Sequence, residues 1–121
     1  MNPSFKAIIV MALAATLAPS VAAVGCFSGG QAGDCSAAIG PICNMVNGVS
    51  FANGQTVSTC VDTNGIRCNM AVVNTGGGGA QIGQQECIDD MTATNNGCNG
   101  HGGIRADGVF QLTLDPNTGA C

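Results

Sequence analysis

Eight cysteines constrain this chain more than any other feature. They are Cys26, Cys35, Cys43, Cys60, Cys68, Cys87, Cys98 and Cys121. The segment that contains them has 19 glycines, no Trp or Tyr and about 22 large apolar residues, too few to stabilise a glycine-rich chain by burial alone. An even number of cysteines predicts four disulfides, each worth roughly 2–4 kcal/mol. Spacing alone leaves their pairing open.

The first 23 residues have the layout of a secretory signal peptide. One base, Lys6, precedes an apolar run from Ala7 to Ala18, and small residues follow at 21–23. The apolar run is too short to span a bilayer. We therefore predict cleavage after Ala23 and secretion of a single cysteine-rich domain, residues 24–121, into an extracellular, oxidising compartment.

Residues 24–121 are acidic and contain no lysine. Two arginines against seven carboxylates give this segment a net charge of −5 at neutral pH. Such a surface repels phosphate backbones and anionic lipids, so we expect neither nucleic-acid binding nor membrane insertion. The cysteines form no C-x2-C or C-x4-C pair, which argues against structural zinc. No cofactor is expected.

Two segments have the apolar spacing of helices. The first runs from Asp34 to Asn47, with Asp34 as the N-cap. Gly40-Pro41 lies inside it, so either the helix is kinked there or it starts with Pro41 in its first turn. The second helix is expected over residues 81–95.

Alternating and β-branched residues predict three strands. Strands at 56–61 and 66–73 form a hairpin around Asn64-Gly65, a pair that favours a tight reversal. A glycine-rich loop is expected at 98–108, before a last strand at 109–114. The element order predicts an α+β fold, a small disulfide-stapled α/β sandwich with two helices packed on one face of a mostly antiparallel sheet.

Three runs carry a resemblance to a known family: GCFSGGQAGDC (25–35), QQECIDDMTATNNGC (84–98) and DPNTGAC (115–121). The chain resembles small secreted fungal proteins of the killer-toxin type and, more closely, the mushroom glycan-binding proteins of the Y3-like group. The resemblance covers essentially all of residues 24–121. It implies a killer-toxin-like fold and the function of a lectin.

The resemblance also implies a disulfide pattern. Carried over, it pairs Cys26 with Cys98, Cys43 with Cys87 and Cys68 with Cys121. Two cysteines of the killer toxin are absent here, which leaves Cys35 and Cys60 to pair with each other. A tight turn at 115–119 then precedes Cys121, which ties the last strand to the hairpin. The alternatives for Cys121 are a free thiol or an intermolecular bridge.

Candidate ligand-binding residues lie in the run NGHGGIRADG (99–108). His101, Arg105 and Asp107 place polar groups on the predicted glycine-rich loop, and we expect them to bind the ligand. A ribonuclease would need a second general acid or base, which is not identifiable. Asp89-Asp90 project roughly 100° apart on a helix, which does not make a glycosidase pair. The protein is therefore predicted not to be an enzyme.

The predicted function is binding of glycans or glycoproteins at a cell surface. The many asparagines and glutamines suit hydroxyl-rich ligands, although only Phe27, Phe51 and Phe110 are available for stacking on a sugar. The alternative is a killer-toxin-like antagonist or effector that acts on a protein target of another cell. A channel blocker of that type would need a cationic surface, which this chain lacks.

Overall fold

A computed structural model describes residues 24–121, and the predicted signal peptide lies outside the described residues. The elements are β1 (Val24–Cys26), α1 (Ser36–Val46), β2 (Thr56–Thr63), β3 (Ile66–Asn74), α2 (Gln84–Gly97), β4 (Gly103–Asp107) and β5 (Phe110–Thr118). The strands form one antiparallel sheet in the order β1-β4-β5-β3-β2. Both helices pack on one face of this sheet, which confirms the predicted α+β architecture.

The hydrophobic core lies between the helices and the two central strands. Met70 and Val72 of β3 and Leu112 and Leu114 of β5 are each at most 2% exposed. They pack in one cluster with buried residues of both helices. Because side chains alternate along a strand, the residues between them face the opposite side of the sheet, on which neither α1 nor α2 packs. We call this side the open face.

Helix α1 begins at Ser36 and runs through Gly40-Pro41, so Pro41 lies in its second turn and not in its first. Pro41 has no N–H to donate to the carbonyl of Ala37. Ala37 and Pro41 are both exposed, so water can donate the missing hydrogen bond to that carbonyl. The N-cap is Cys35 rather than Asp34. Asp34 still satisfies the first turn, because its Oδ1 accepts a hydrogen bond from the Ser36 N–H at 2.9 Å.

The hairpin is confirmed. Strands β2 and β3 are joined by Asn64 and Gly65, whose φ angles of 51° and 82° are both positive. Two residues of this conformation match the right-handed twist of the flanking strands. The second helix, α2, begins at Gln84, three residues later than predicted, and the N–H of Gly83 before it binds Glu86 Oε1 at 3.4 Å.

The predicted loop at 98–108 is wrong, because strand β4 lies within it. Its glycines allow close packing rather than disorder: a Cβ on Gly103 would lie 2.3 Å from the carbonyl oxygen of Gly25 on β1. The predicted turn at 115–119 is also wrong, because β5 continues to Thr118. Pro116 is tolerated there since β4 pairs with β5 only as far as Leu114.

The pairing of the cysteines differs from the predicted one at two of the four bridges. The disulfides present are Cys26–Cys98, Cys35–Cys68, Cys43–Cys87 and Cys60–Cys121. The first and third are the pairs that the resemblance implies. The predicted pairs Cys68–Cys121 and Cys35–Cys60 are wrong. No cysteine within residues 24–121 is free.

The two faces of the hairpin explain this exchange. Cys68 is fully buried on the helix-covered face of β3, close to the start of α1, where it binds Cys35. Cys60 lies directly opposite Asn69, the neighbour of Cys68, and therefore projects from the open face. The sheet separates Cys60 from Cys35, and the C-terminal tail supplies its partner instead.

No helix within residues 24–121 is long and apolar enough to cross a membrane.

Candidate functional site

The open face of the sheet carries mostly polar side chains. These come from alternate positions of β2, β3 and β5, and side chains that are paired in register lie beside one another. The polar residues are Thr56, Ser58, Asp62, Arg67, Asn69, Gln111, Thr113, Asp115 and Asn117. No helix within residues 24–121 covers this face, so this part of the chain leaves a surface of hydroxyl, amide and carboxylate groups open.

A shallow depression of about 380 Å³ lies in the middle of the open face. Two rows of paired residues line it: Ser58, Ala71 and Thr113 in one, and Cys60, Asn69 and Asp115 in the other. Ala71 is the smallest of these side chains and lies at the centre of its row, so its methyl group forms the floor. We call this feature the sheet depression.

The polar groups of the sheet depression are largely unused by the fold. Asn69 Oδ1 accepts a hydrogen bond from Asn117 Nδ2 at 2.9 Å, which leaves the Asn69 amide N–H groups without a partner among the described residues. The side chains of Ser58, Thr113 and Asp115 form no hydrogen bond within residues 24–121. Together they supply donors and acceptors that suit a ligand with several hydroxyl groups.

The C-terminal tail lies against the same face. The Cys60–Cys121 disulfide fixes its end to β2, and the Cys121 N–H donates to Asp62 Oδ1 at 2.8 Å. Arg67 Nη1 donates to the Ala120 carbonyl at 3.4 Å, so this guanidinium also contacts the tail. Cys60 lines the sheet depression, and the disulfide therefore gives the depression a fixed wall.

A comparison with protein-family models identifies the family of the chain. The model described as glycan binding domain Y3 matches residues 34–121, which is more than half of the chain. The chain belongs to this family. The match spans α1, α2 and all four strands from β2 to β5, and it includes every residue of the sheet depression. Membership in a glycan-binding family supports glycans as partners and a binding rather than a catalytic role.

A search of the curated proteins found no match to this member of the family. The resemblance to killer toxins is tested by no finding and stays a prediction.

The structure places two of the three predicted site residues away from the open face. Arg105 lies opposite Leu112 and Asp107 opposite Phe110, so both point toward the helices. Arg105 Nε binds Asp90 Oδ1 of α2 at 2.7 Å. His101 lies in the turn before β4, and its buried Nδ1 has no partner within residues 24–121.

No hydrogen bond or salt bridge within residues 24–121 links His101 to Arg105 or Asp107. The structure therefore brings Arg105 and Asp107 together, but on the helix-covered side of β4 beside carboxylates of α2 and not on an exposed loop. Ligand binding by His101, Arg105 and Asp107 stays a prediction.

A cluster of carboxylates surrounds Arg105 where α2 packs on β4. Asp90 is 5% exposed, and burial together with the neighbouring Asp107 raises its pKa to about 6, against the opposing effect of Arg105. The pKa of Asp107 is lowered, chiefly by its hydrogen bond with Asp90, whereas burial raises the pKa of Glu86. We call Glu86, Asp90, Arg105 and Asp107 the acid cluster.

A second depression, of about 430 Å³, lies between the N-terminal segment and the end of α2. Its main polar groups are already used by the fold. Asn95 Nδ2 donates to Asp34 Oδ1 at 3.0 Å, and Asn95 Oδ1 accepts from the Cys35 N–H at 3.0 Å. Although it is slightly larger than the sheet depression, it offers fewer free groups.

The structure offers neither a metal site nor stacking rings at the sheet depression. Within residues 24–121 no group of His, Cys, Asp or Glu side chains could hold a metal ion. Phe51 and Phe110 are buried in the core, where their rings meet edge to face at 5.2 Å. Among the described residues no aromatic side chain lines the sheet depression, so a ligand there would be held by hydrogen bonds and shape rather than by aromatic stacking.

Sequence reasoning missed the residues of the sheet depression. A usable signal was present in β3, where Cys68, Met70 and Val72 alternate with Asn69 and Ala71. The same period of two separates the apolar residues of β5 from Thr113 and Asp115. The polar half of each alternation identifies the open face.

Proposed function

We propose that this protein is a secreted, non-enzymatic lectin that binds glycans in the sheet depression. The observation that carries the proposal is a set of four adjacent side chains, Ser58, Asn69, Thr113 and Asp115, whose hydrogen-bonding groups the fold leaves largely unused. The hydroxyl groups of a sugar both donate and accept hydrogen bonds, and these four side chains supply acceptors and donors for them. The partners are glycans or glycoproteins at a cell surface.

The family membership supports glycans as the ligand class, and the structure argues for this location over the one predicted from the sequence. Arg105 is occupied by a 2.7 Å ion pair with Asp90, and Asp107 belongs to the same acid cluster. A ligand at Arg105 would have to replace that ion pair. A ligand in the sheet depression would displace only water.

Secretion is supported by the signal-peptide layout of residues 1–23 and by the four disulfides, which persist in oxidising compartments. Expression of the full chain in a secreting host tests it. The expected product in the medium begins at Val24 by N-terminal sequencing. A chain that stays in the cell with residues 1–23 attached would contradict this part of the proposal.

The experiment that tests the function is a glycan array with the oxidised protein. Saturable binding to one group of related glycans is expected, with a loss of at least about tenfold in affinity in the double variant Asn69→Ala/Thr113→Ala, which removes two hydrogen-bonding side chains. His101→Ala is the matched control at the predicted loop and should leave binding unchanged. Circular dichroism confirms that all three proteins are folded.

An empty array from folded protein would refute the proposal. It would favour the alternative, a killer-toxin-like antagonist or effector with a protein target, and a pull-down from cell surfaces would be the next step. Binding that survives Asn69→Ala/Thr113→Ala but is lost in His101→Ala would refute the location and return the site to His101, Arg105 and Asp107.

A further inference from the structure

We infer that Asp115 restricts the sheet depression to uncharged glycans and rejects glycans that carry a carboxylate or sulfate beside the bound sugar. The inference rests on the proposed function and names the class of glycan that the site takes. It makes Asp115 a specificity-determining residue, because the same carboxylate that binds hydroxyl groups repels anions.

Among the residues that the structure describes, Asp115 is the one charged residue that lines the sheet depression. Within residues 24–121 its carboxylate has no hydrogen bond, and the salt bridge present there joins Arg105 and Asp90 instead. An ionised carboxylate accepts hydrogen bonds through both oxygens and donates none. It can therefore bind two neighbouring hydroxyl groups of one sugar at the same time.

Asn69, directly opposite Asp115 on β3, completes the arrangement. Its Oδ1 is taken by Asn117, so the side-chain amide presents its N–H groups as donors next to the Asp115 acceptor. A hydroxyl oxygen that donates to Asp115 can accept from Asn69. This pairing of a carboxylate with an amide donor fits a sugar diol, and it leaves no place for a second negative charge.

Within residues 24–121 no cation lines the sheet depression, and none forms a salt bridge with Asp115. Arg67 is the one cationic residue on the open face of β2, β3 and β5, and it donates to the Ala120 carbonyl of the tail. Asp62, opposite Arg67, adds a further negative charge. Residues 24–121 carry a net charge of −5, so the long-range field also repels anions.

The test uses pairs of glycans that differ only in a terminal anionic group, such as a sialylated glycan and its desialylated form. For the oxidised wild-type protein we expect the uncharged member to bind at least about tenfold more tightly. In Asp115→Asn, affinity for the uncharged member should fall by about tenfold or more, and the preference within the pair should disappear. Asp89→Asn is the control, because it removes the same charge from an exposed position on α2.

Salt separates charge repulsion from steric exclusion. Raising the ionic strength from about 0.15 M to about 1 M shortens the screening length from about 8 Å to about 3 Å. If Asp115 repels the anionic glycans through its charge, the wild-type preference should shrink in high salt. A preference that stays constant in high salt and in Asp115→Asn would point to shape and would overturn the inference.

The outcomes distinguish this inference from the proposed function. Equal wild-type affinity for charged and uncharged members, or unchanged binding by Asp115→Asn, overturns the role of Asp115 while the protein is still a glycan binder. Absence of binding to any glycan by both the wild type and Asp89→Asn overturns the proposed function and this inference with it. Loss of the preference in Asp115→Asn alone supports both.

Discussion

Two carboxylates on opposite sides of one sheet have different surroundings. Asp90 of α2 packs on the covered side, is 5% exposed, and is bound to Arg105 at 2.7 Å with Asp107 beside it. Asp115 lies on the open face in the sheet depression, half-buried and without a polar side-chain partner within residues 24–121. The same chemical group is paired inside the fold in one place and is available to a ligand in the other.

Ligand binding by the polar side chains of the run 99–108 stays a prediction, but Arg105 and Asp107 are less available to a ligand than the polar groups of the sheet depression. Arg105 binds Asp90 of α2, and Asp107 lies beside the same carboxylate, because β4 turns both side chains toward the helices. A binding residue needs hydrogen-bonding capacity that the fold has not used. Substitutions on the covered side should therefore change stability, and substitutions in the sheet depression should change ligand affinity.

The largest expected change in the free energy of unfolding comes from removing a disulfide, and two of the four disulfides make a useful comparison. Cys43 and Cys87 are fully buried between the helices, whereas Cys60 is half-buried and Cys121 exposed. We expect Cys43→Ala/Cys87→Ala to lower the free energy of unfolding by about 4 kcal/mol or more, because it removes a cross-link and core packing together. Cys60→Ala/Cys121→Ala should cost about 2 kcal/mol and weaken glycan binding, because the depression loses a wall. Urea unfolding and glycan titration measure both effects, and a larger stability loss in the second variant would contradict the comparison.

Removing Arg105 tests the acid cluster. Arg105→Ala leaves Asp90 buried beside Asp107 without a cation, and we expect the free energy of unfolding to fall by about 3 kcal/mol at pH 7. The loss should be smaller at pH 5, because Asp90 then takes up a proton. Asp115→Asn, which removes a charge from the open face, should change stability by less than about 0.5 kcal/mol. Equal losses in the two variants would remove the distinction between the two faces.

The pH dependence of stability follows from Asp90. Its pKa is raised to about 6 in the folded protein, so the folded state binds a proton that the unfolded state has already released. Stability should therefore fall by about 1 kcal/mol as the pH rises from 5 to 7. The lowered pKa values of Asp34 and Asp107 act in the opposite direction at low pH, where protonation of these groups destabilises the fold.

Asp90→Asn is the variant that checks this assignment. It cannot ionise, so the loss of stability between pH 5 and 7 should largely disappear, and Asp89→Asn on the exposed side of α2 should keep it. Thermal unfolding at a series of pH values gives the measurement. An unchanged pH profile in Asp90→Asn would assign the dependence to other carboxylates.

The smallest expected effect on stability comes from filling the sheet depression. Ala71→Val adds two methyl groups to its floor, on a strand where β-branched residues are favoured, so we expect a change in stability within about 0.5 kcal/mol. Glycan affinity should nevertheless fall by about tenfold or more. Full affinity in this variant would show that no sugar enters the depression.

Much of the fold could be predicted from the sequence because local signals decided it. The Asn64-Gly65 turn and the apolar alternation of the last strand gave the hairpin and the central strand β5. Strands β1 and β4 were missed, since their glycines indicate a loop when read locally. Their role is visible only once Gly103 is seen packed against Gly25.

The disulfide error had a remedy within the sequence. A two-residue turn at Asn64-Gly65 pairs Val61 with Cys68 and Cys60 with Asn69, so the two cysteines must lie on opposite faces. Cys68 shares its face with Met70 and Val72 and must therefore bind a cysteine on the helix side. The alternation of side chains along one strand does not by itself identify the sheet depression. The depression forms at Ala71 because larger side chains of β2 and β5 lie on either side of it, and the order of these strands is known only from the structure.

The most direct test of glycan binding in the sheet depression is an NMR titration of the oxidised, isotope-labelled protein with a glycan selected by the array. We expect the largest amide shift changes at Asn69, Ala71, Thr113 and Asp115, with little change at 101–107. The largest changes at His101, Arg105 and Asp107, with the sheet depression unaffected, would contradict it and place the ligand on the other side of the sheet.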